Sequence, residues 1–364
     1  MTNFKSGEIA LREYSKVWYY PFGNSPASPY ALTSNPFAFL IAWLDTEMLK
    51  IKKETNHRSR LKKAKYFCEL AEAFNSSASN SKMPAKATPL YYAHLNLVKC
   101  FLLVNGLDLE KEMEHHGLSL PHDYKDKLKI GSKPTEGISI FKEFFERTGG
   151  DFLKISGCDV TLKELLMELP EIHELGFALN VFDGKRKMLP LQIEIRTNEK
   201  RNKLFYELIY EKKNEKFMGV DRLDKNLLNG KIKQIEEPDT NKIRYRSIKQ
   251  VSYNKKKDIS WEHSYKSICD EINSLGLTSI LTRDGYRFYV NLNPAKLNRH
   301  CSALAFMFYL GSVARYRPSL NESILSGEYQ AIINEAIETC PNQFYFHLVS
   351  LVTKRVCAMP MAKI

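Results

Sequence analysis

The sequence lacks the motifs that most often identify an enzyme. It contains no phosphate-binding loop of the form G-x-x-x-x-G-K-[ST] or G-x-G-x-x-G. It also contains no G-x-S-x-G nucleophile elbow and no H-E-x-x-H metal motif. These absences lower the expectation of catalysis, and we expect no cofactor.

Paired cysteines are missing as well. The chain has seven cysteines and no Cys-x-x-Cys pair; they lie at positions 68, 100, 158, 269, 301, 340 and 357. An odd number of widely spaced thiols argues against a disulfide framework and against a zinc site. We expect reduced thiols, mostly small core residues, and no bound metal.

Long apolar runs are also absent near the N-terminus. The longest uncharged apolar run there, Pro36 to Leu44, is too short to span a bilayer. No charged segment followed by an apolar one begins at Met1, so no signal peptide is expected. The prediction is a cytoplasmic protein that does not bind membranes.

Positive charge is abundant and unevenly placed. The formal net charge is +12, and Lys185 to Lys257 holds 21 Lys and Arg against 10 Asp and Glu. A second basic segment, Lys50 to Lys65, holds 8 against Glu54 alone. Such asymmetry suits a surface that binds a polyanion, although lysine-rich faces also simply keep proteins soluble. The candidate nucleic-acid contacts are Lys62, Lys63, Lys212, Lys213, Arg244, Arg246, Lys255, Lys256 and Lys257.

Aromatic residues interleave these charges: Phe205, Tyr206, Tyr210, Tyr245 and Tyr253. Aromatic rings can stack on unpaired bases, which would suit single-stranded nucleic acid or tRNA. The same rings alternate as the inward face of strands does, and a core position is favoured for most of them.

Both ends of the chain have helical periodicity. Helices are predicted at 36–53, 58–74 and 89–104, with a polar loop at 75–86, and again at 296–316, 326–339 and 342–357. Ser319-x-x-Glu322 has the form of a capping box. The stretch 302–318 is apolar on all sides until Arg315, which predicts a helix buried at the centre of a bundle.

The middle of the chain differs from the helical ends in its sequence pattern. Thr161-x-x-Glu164 predicts a capped helix that ends at Pro170. Strands are predicted at 191–195, 204–210 and 243–253, and a hairpin at 282–287, where an Asp-Gly pair separates two strand-like runs. The predicted fold class is α+β, mainly α. Residues 1–124 and 293–364 form a helical bundle, and residues 125–292 form an inserted basic α+β region.

The histidines offer few candidate metal or catalytic sites. His115 and His116, with His122 nearby, could ligate a metal, but adjacent histidines on a helix point in different directions. A helix C-terminal turn closed by Gly117 is favoured. His94 lies on an apolar helix, where a hydrogen-bonded core histidine is favoured over a catalytic one.

Three segments resemble the YaaC-like family of bacterial proteins: Leu90 to Ser119, Thr161 to Ile172, and Phe308 to Pro318. The helical part of that family is similar to HEPN-type bundles, which implies a bacterial cytoplasmic protein. HEPN-like proteins often belong to phage-defence or toxin–antitoxin systems. Some are ribonucleases with an arginine followed by a histidine after four to six residues. No arginine here has a histidine at that spacing, so the resemblance supplies no catalytic residue.

The functional prediction is therefore a non-catalytic protein that binds RNA or DNA, a protein partner or a second copy of itself through basic surfaces. It would then be a subunit of a phage-defence system. The alternative is a HEPN-like ribonuclease with an atypical site, for which the weak candidates are His94, His115, Arg315 and Arg317. Arg315 and Arg317 are expected instead to hold the end of the bundle through hydrogen bonds.

Overall fold

The computed structural model describes residues 30–109, 111–121, 126–131, 137–182, 187–198, 201–217, 228, 230–235, 241–254, 258–283, 285–292 and 296–360. The helices within these ranges are α1 Pro36–Leu49, α2 Asn56–Ser79, α3 Met83–Val104, α4 Ile140–Arg147, α5 Leu162–Met167, α6 Pro170–Ala178, α7 Asp258–Asn273, α8 Arg299–Tyr316, α9 Pro318–Ser326 and α10 Gln330–Thr353.

The strands in the same ranges are β1 Ala31–Leu32, β2 Glu114–His115, β3 Leu118–Ser119, β4 Lys127–Ile130, β5 Ile138–Ser139, β6 Asp159–Thr161, β7 Met188–Asn198, β8 Lys203–Glu211, β9 Ile232–Ile235, β10 Lys242–Ser247, β11 Val251–Ser252, β12 Thr278–Thr282, β13 Gly285–Asn291 and β14 Cys357–Ala358. The predicted class, α+β and mainly helical, is confirmed.

Helix α3 is the centre of the larger core. It packs against α2, α8 and α10, and α1 packs against α2 and α10. Every residue of α8 from Cys301 to Val313 is buried, which confirms the predicted burial of this apolar helix. The described ends of the chain also meet, because β1 pairs in parallel with β14.

The helix boundaries depart from the prediction at the polar loop. Helix α2 continues to Ser79, and only three residues separate it from α3. The predicted loop at 75–86 is therefore wrong, and the predicted start of the third helix at Pro89 is six residues late. Side chains contribute to the extra turn: Asn80 Nδ2 donates to Ser76 O and the hydroxyl of Ser81 donates to Ser77 O, so these polar residues satisfy two of the last carbonyls of the helix.

The predicted division of the C-terminal segment into two helices is also wrong. One helix, α10, replaces the two predicted at 326–339 and 342–357, and it passes through Pro341. Pro341 is buried, as are Cys340 and Phe344 of the same helix, and packing of this apolar helix outweighs the hydrogen bond that proline removes. The capping box predicted at Ser319 does not form, because α9 begins at Pro318 and Arg317 is its N-cap.

The middle of the chain contains an antiparallel sheet. Its strand order is β12-β13-β7-β8-β10-β9, with β11 also paired to β8. The predicted strands at 191–195 and 204–210 are confirmed, the one at 243–253 is two strands, and the hairpin at 282–287 joins β12 to β13. Asp284 of that hairpin lies outside the described residues. The capping box at Thr161 and Glu164 is confirmed at the start of α5.

The described residues form two large apolar cores and a small third cluster of Leu281, Val356 and Ala358. The larger contains the buried residues of the terminal helices and those between Leu118 and Phe182; the second begins at Leu189 and joins the sheet to α7. The predicted domain boundaries at 124/125 and 292/293 stay a prediction. None of the described helices combines the length and the apolar character that crossing a bilayer requires.

Gly311 sets how closely α8 approaches α3. A β-carbon at this position would lie 3.2 Å from Tyr91 Cβ and 3.3 Å from Ala87 O. We expect Gly311→Leu to lower the free energy of unfolding by about 2–3 kcal/mol, because the larger side chain forces the helices apart. Gly311→Ala should stay within about 1 kcal/mol of the wild type, since its gain in helix propensity offsets the tighter contact. Urea unfolding measures both, and a leucine variant as stable as the wild type would contradict the close contact.

Candidate nucleic-acid interface

The strands of the sheet present two different faces. On β8 the residues Tyr206, Leu208 and Tyr210 belong to the apolar core that includes α7. Successive side chains of a strand point to opposite faces, so Phe205, Glu207 and Ile209 lie on the other face of the sheet. This second face carries most of the charge.

Strand register brings basic residues together on that face. Glu207 of β8 pairs across the sheet with Arg246 of β10 and with Glu194 of β7, and Arg246 pairs in turn with Lys233 of β9. Among the described residues of β7 to β10, six cationic side chains share the face with three carboxylates. We call this set the cationic face: Arg196, Lys203, Lys233, Lys242, Arg244 and Arg246, with Glu194, Glu207 and Glu211.

Glu207 is the anchor of the cationic face. Its side chain has no solvent exposure. Arg246 donates to Oε1 from Nε at 3.0 Å and from Nη2 at 2.8 Å, and Arg244 donates to Oε2 at 3.4 Å. Arg196 Nε lies 3.8 Å from Oε2 and also pairs with Glu194. Since two carboxylates face three guanidinium groups, the cluster keeps an excess of positive charge.

The two arginines predicted as nucleic-acid contacts are held firmly here. Arg244 keeps 16% and Arg246 keeps 24% of its side-chain surface exposed. The guanidinium of Arg246 also lies 4.4 Å from the centre of the Phe205 ring. Both side chains are therefore fixed in position, and each still presents part of its charge to solvent.

The aromatic residues of the basic segment lie in the interior. Phe205, Tyr206, Tyr210, Tyr245 and Tyr253 are all buried, which confirms the core position favoured by their alternation. Their rings are not placed to stack on the bases of a bound nucleic acid.

The remaining predicted contacts lie elsewhere. Lys212 and Lys213 follow β8 and are exposed, with Lys213 Nζ 2.5 Å from a carboxylate oxygen of Glu211. Lys62 and Lys63 lie on α2, a different surface, where Lys62 pairs with Glu54 at 3.1 Å. Lys255, Lys256 and Lys257 lie outside the described residues. Nucleic-acid contact by any of these residues stays a prediction.

His94, the first weak catalytic candidate, is a core residue. It has no solvent exposure, its Nδ1 lies 2.8 Å from Leu90 O, and its ring packs on Phe344 and Tyr345. Burial lowers the pKa of His94 to about 4, so the ring is neutral at pH 7. A substrate has no access to this imidazole without opening of the core.

His115 is not in the predicted helical turn. Glu114 and His115 form β2, which pairs with β5, and Gly117 follows with a φ of 75°. His116, which follows His115, faces the helices, and its Nδ1 lies 2.6 Å from the hydroxyl oxygen of Tyr91 on α3. Burial, with Arg315 and Lys99 nearby, lowers the pKa of His116.

The two arginines at the end of α8 have structural partners, as expected. Arg315 donates from Nε to Gly311 O at 3.0 Å and from Nη1 to the hydroxyl of Tyr92 at 2.8 Å. Arg317 donates from Nη2 to Pro121 O at 2.6 Å. Both therefore hold the end of α8 against neighbouring segments.

Sequence reasoning missed Arg196 and Glu207 as members of the candidate site. Glu207 sits inside the run Leu204 to Tyr210, where one charge among apolar residues looks like a solvent-facing position. The alternation of side chains along a strand was the available indication. It places Glu207 on the same face of the sheet as Phe205 and on the opposite face from Tyr206. Its three arginine partners come from two other strands and depend on their register.

Glu207→Gln tests the charge cluster. Removing one partner of a buried ion pair leaves uncompensated charge, so we expect the free energy of unfolding to fall by about 3 kcal/mol. Glu211→Gln removes an equal charge from the same strand at an exposed position and should leave the unfolding midpoint unchanged. Urea unfolding followed by circular dichroism compares the two variants. Equal midpoints for both would show that Glu207 is not the anchor.

Comparison with known proteins supports the resemblance seen in the sequence. The chain matches no curated protein and no solved structure. The family model described as YaaC-like Protein matches residues 32–352. Because this match extends over most of the chain, the protein belongs to the YaaC-like family.

Proposed function

We propose that this protein binds nucleic acid without catalysis, through the cationic face of its sheet. The observation that supports this proposal is the strand register, which gathers six cationic side chains against three carboxylates on one face of β7 to β10. Neutralising phosphates with lysine and arginine releases counterions and supplies most of the affinity in binding that does not depend on base sequence.

The ligand is recognised through its backbone. Base-specific binding of single strands needs aromatic rings that stack on bases, and the rings of this segment are buried. Arginines fixed by Glu207 present charge at set positions, which suits phosphates at a regular spacing. The affinity should therefore depend strongly on salt and little on base composition.

The helical part extends this proposal. Lys52 and Lys53, which precede α2, and Lys62 on α2 are exposed, and they offer a second site for the same polyanion. We include in the proposal a HEPN-like arrangement of the helices, a cytoplasmic location, and a protein partner or second copy within a phage-defence complex.

The ribonuclease alternative is the weaker proposal. His94 lies in the core with its Nδ1 against the Leu90 carbonyl, and Arg315 and Arg317 bind groups of the protein. Catalysis by general acid and base requires groups within hydrogen-bond reach of the substrate. The binding proposal needs only charges that already reach the surface.

The test is the salt dependence of binding to a labelled 20-nucleotide RNA, followed by fluorescence polarisation. We expect the double variant Lys203→Gln/Lys233→Gln to reduce the slope of log affinity against log salt by about 1.5, since each lost phosphate contact removes about 0.7–0.9. The matched control is Lys129→Gln/Lys266→Gln, which removes two lysines exposed outside the cationic face.

Three results would count against the proposal. One is no binding at low salt, and another is an affinity that salt does not change. The third is an equal loss of slope in the control variant, which would show that net charge alone governs binding.

A further inference from the structure

A cavity of about 990 Å³ lies among the helices, at the C-terminal end of α8. Its walls include Phe74 of α2, Tyr92 of α3, Ala314 of α8 and Leu325 of α9. The volume lies at the upper end of the ~300–1,000 Å³ usual for small-molecule sites, which often lie between the helices of bundles. None of its described lining residues belongs to the cationic face, so the cavity is separate from the surface proposed for nucleic acid.

One wall of the cavity is aromatic. The rings of Phe74 and Tyr92 stack with their centres 5.2 Å apart. Asn321, which also lines the cavity, donates from Nδ2 to Pro84 O at 2.9 Å and so holds α9 against α3. Because the aromatic wall is preformed, this part of the cavity suits the apolar body of a ligand.

Arg315 brings a fixed cation to the lining of the cavity. Its Nε donates to Gly311 O at 3.0 Å and its Nη1 to the hydroxyl of Tyr92 at 2.8 Å. Its guanidinium also lies 5.4 Å from the centre of the Tyr92 ring and 4.9 Å from that of Tyr316. These contacts hold a partly exposed side chain in one position before any ligand binds.

The terminal nitrogens of Arg315 keep donors for a ligand. A guanidinium can donate more hydrogen bonds than the two that Gly311 and Tyr92 accept. The N–H groups that remain, on Nη1 and Nη2, have no acceptor and no carboxylate partner among the described residues. The hydroxyl of Tyr92 accepts from Arg315 and donates to no described group. Paired N–H groups on one guanidinium bind both oxygens of a carboxylate at once.

The charge of the lining limits the ligand to a single negative charge. Arg315 and Glu322 are the charged residues of the lining, and Glu322 is exposed. A phosphate monoester carries about −1.5 to −2 at pH 7, which one guanidinium beside a carboxylate does not balance. A monocarboxylate matches the charge and the planar shape of one guanidinium.

We propose that this cavity binds a small organic monocarboxylate with an apolar body. Its carboxylate oxygens accept from Nη1 and Nη2 of Arg315 and from the hydroxyl of Tyr92, and its body packs on the Phe74 ring and Leu325. Arg315 therefore has two roles: it holds the end of α8 through Gly311 and presents its remaining N–H groups to the ligand.

Isothermal titration calorimetry of the full chain tests this site, with 3-phenylpropionate and octanoate as ligands and 3-phenylpropanamide as the uncharged comparison. We expect saturable one-to-one binding of a carboxylate, and affinity for the amide lower by at least about tenfold, since the amide gains no charge-assisted hydrogen bond.

Two variants locate the binding. Arg315→Lys keeps the charge but loses the planar pair of donors, and it should weaken binding roughly tenfold. Ala85→Trp places a large ring at an exposed position of the lining, leaves the contacts of Arg315 intact, and should also weaken binding at least about tenfold. Lys82→Met, the matched control, removes an exposed charge next to the lining residue Ser81 but outside the lining, and should bind as the wild type does.

Contrary outcomes are equally definite. Absence of saturable binding by both carboxylates, or equal binding of the amide, overturns the proposal. So does unchanged affinity in Ala85→Trp, which decides the matter if Arg315→Lys fails to fold. Tighter binding of a short peptide that ends in phenylalanine would assign the cavity to the C-terminus of a partner chain instead.

RNA separates this site from the proposed function. Displacement of 3-phenylpropionate by the 20-nucleotide RNA would assign Arg315 to nucleic acid and overturn the carboxylate site. RNA binding that fails while 3-phenylpropionate binds would reject only the proposed function.

Discussion

The carboxylate of Glu207, buried among three guanidinium groups, is the interaction on which the charged sheet depends. Moving a charged side chain out of water costs several kcal/mol, and only close partners with hydrogen bonds compensate for it. Here the compensating arginines lie on β7 on one side of Glu207 and on β10 on the other. These ion pairs therefore also fix the register of the three central strands. The apolar face of the same strands packs against α7, and pairing the charges and burying the apolar face both require the same register.

The position of this sheet relative to the helices rests on a second buried ion pair. Arg299 begins α8, the helix with the most complete burial, and reaches Glu171 on α6, His347 on α10 and the Ser279 carbonyl on β12. One side chain thus joins the large helical core to the edge of the sheet. The junction leaves a cavity beside it.

Local patterns in the sequence predicted most elements correctly, but they misplaced two helix boundaries and missed the pairing of the site residues. The apolar stretch 302–318, the capping box at Thr161 and the hairpin at 282–287 were correct because each depends on neighbouring residues. Two helix boundaries were predicted wrongly. Pro341 does not end a helix, because burial of α10 outweighs the effect of proline. The polar residues after Phe74 do not form a loop, because their side chains donate hydrogen bonds back to carbonyls of α2. The site residues depended on non-local pairing: Arg246 follows Glu207 by 39 residues, and Arg299 follows Glu171 by 128. No spacing motif encodes such pairs.

Hydrogen–deuterium exchange, with and without a 20-nucleotide RNA at low salt, tests most directly where the ligand binds. Backbone amides of edge and central strands exchange more slowly when a ligand restrains local opening. We expect new protection in β9 and β10, residues 232–235 and 242–247, and unchanged exchange in α7. Protection confined to the helices, or none in the sheet while RNA is bound, would contradict the assignment of nucleic-acid binding to the cationic face.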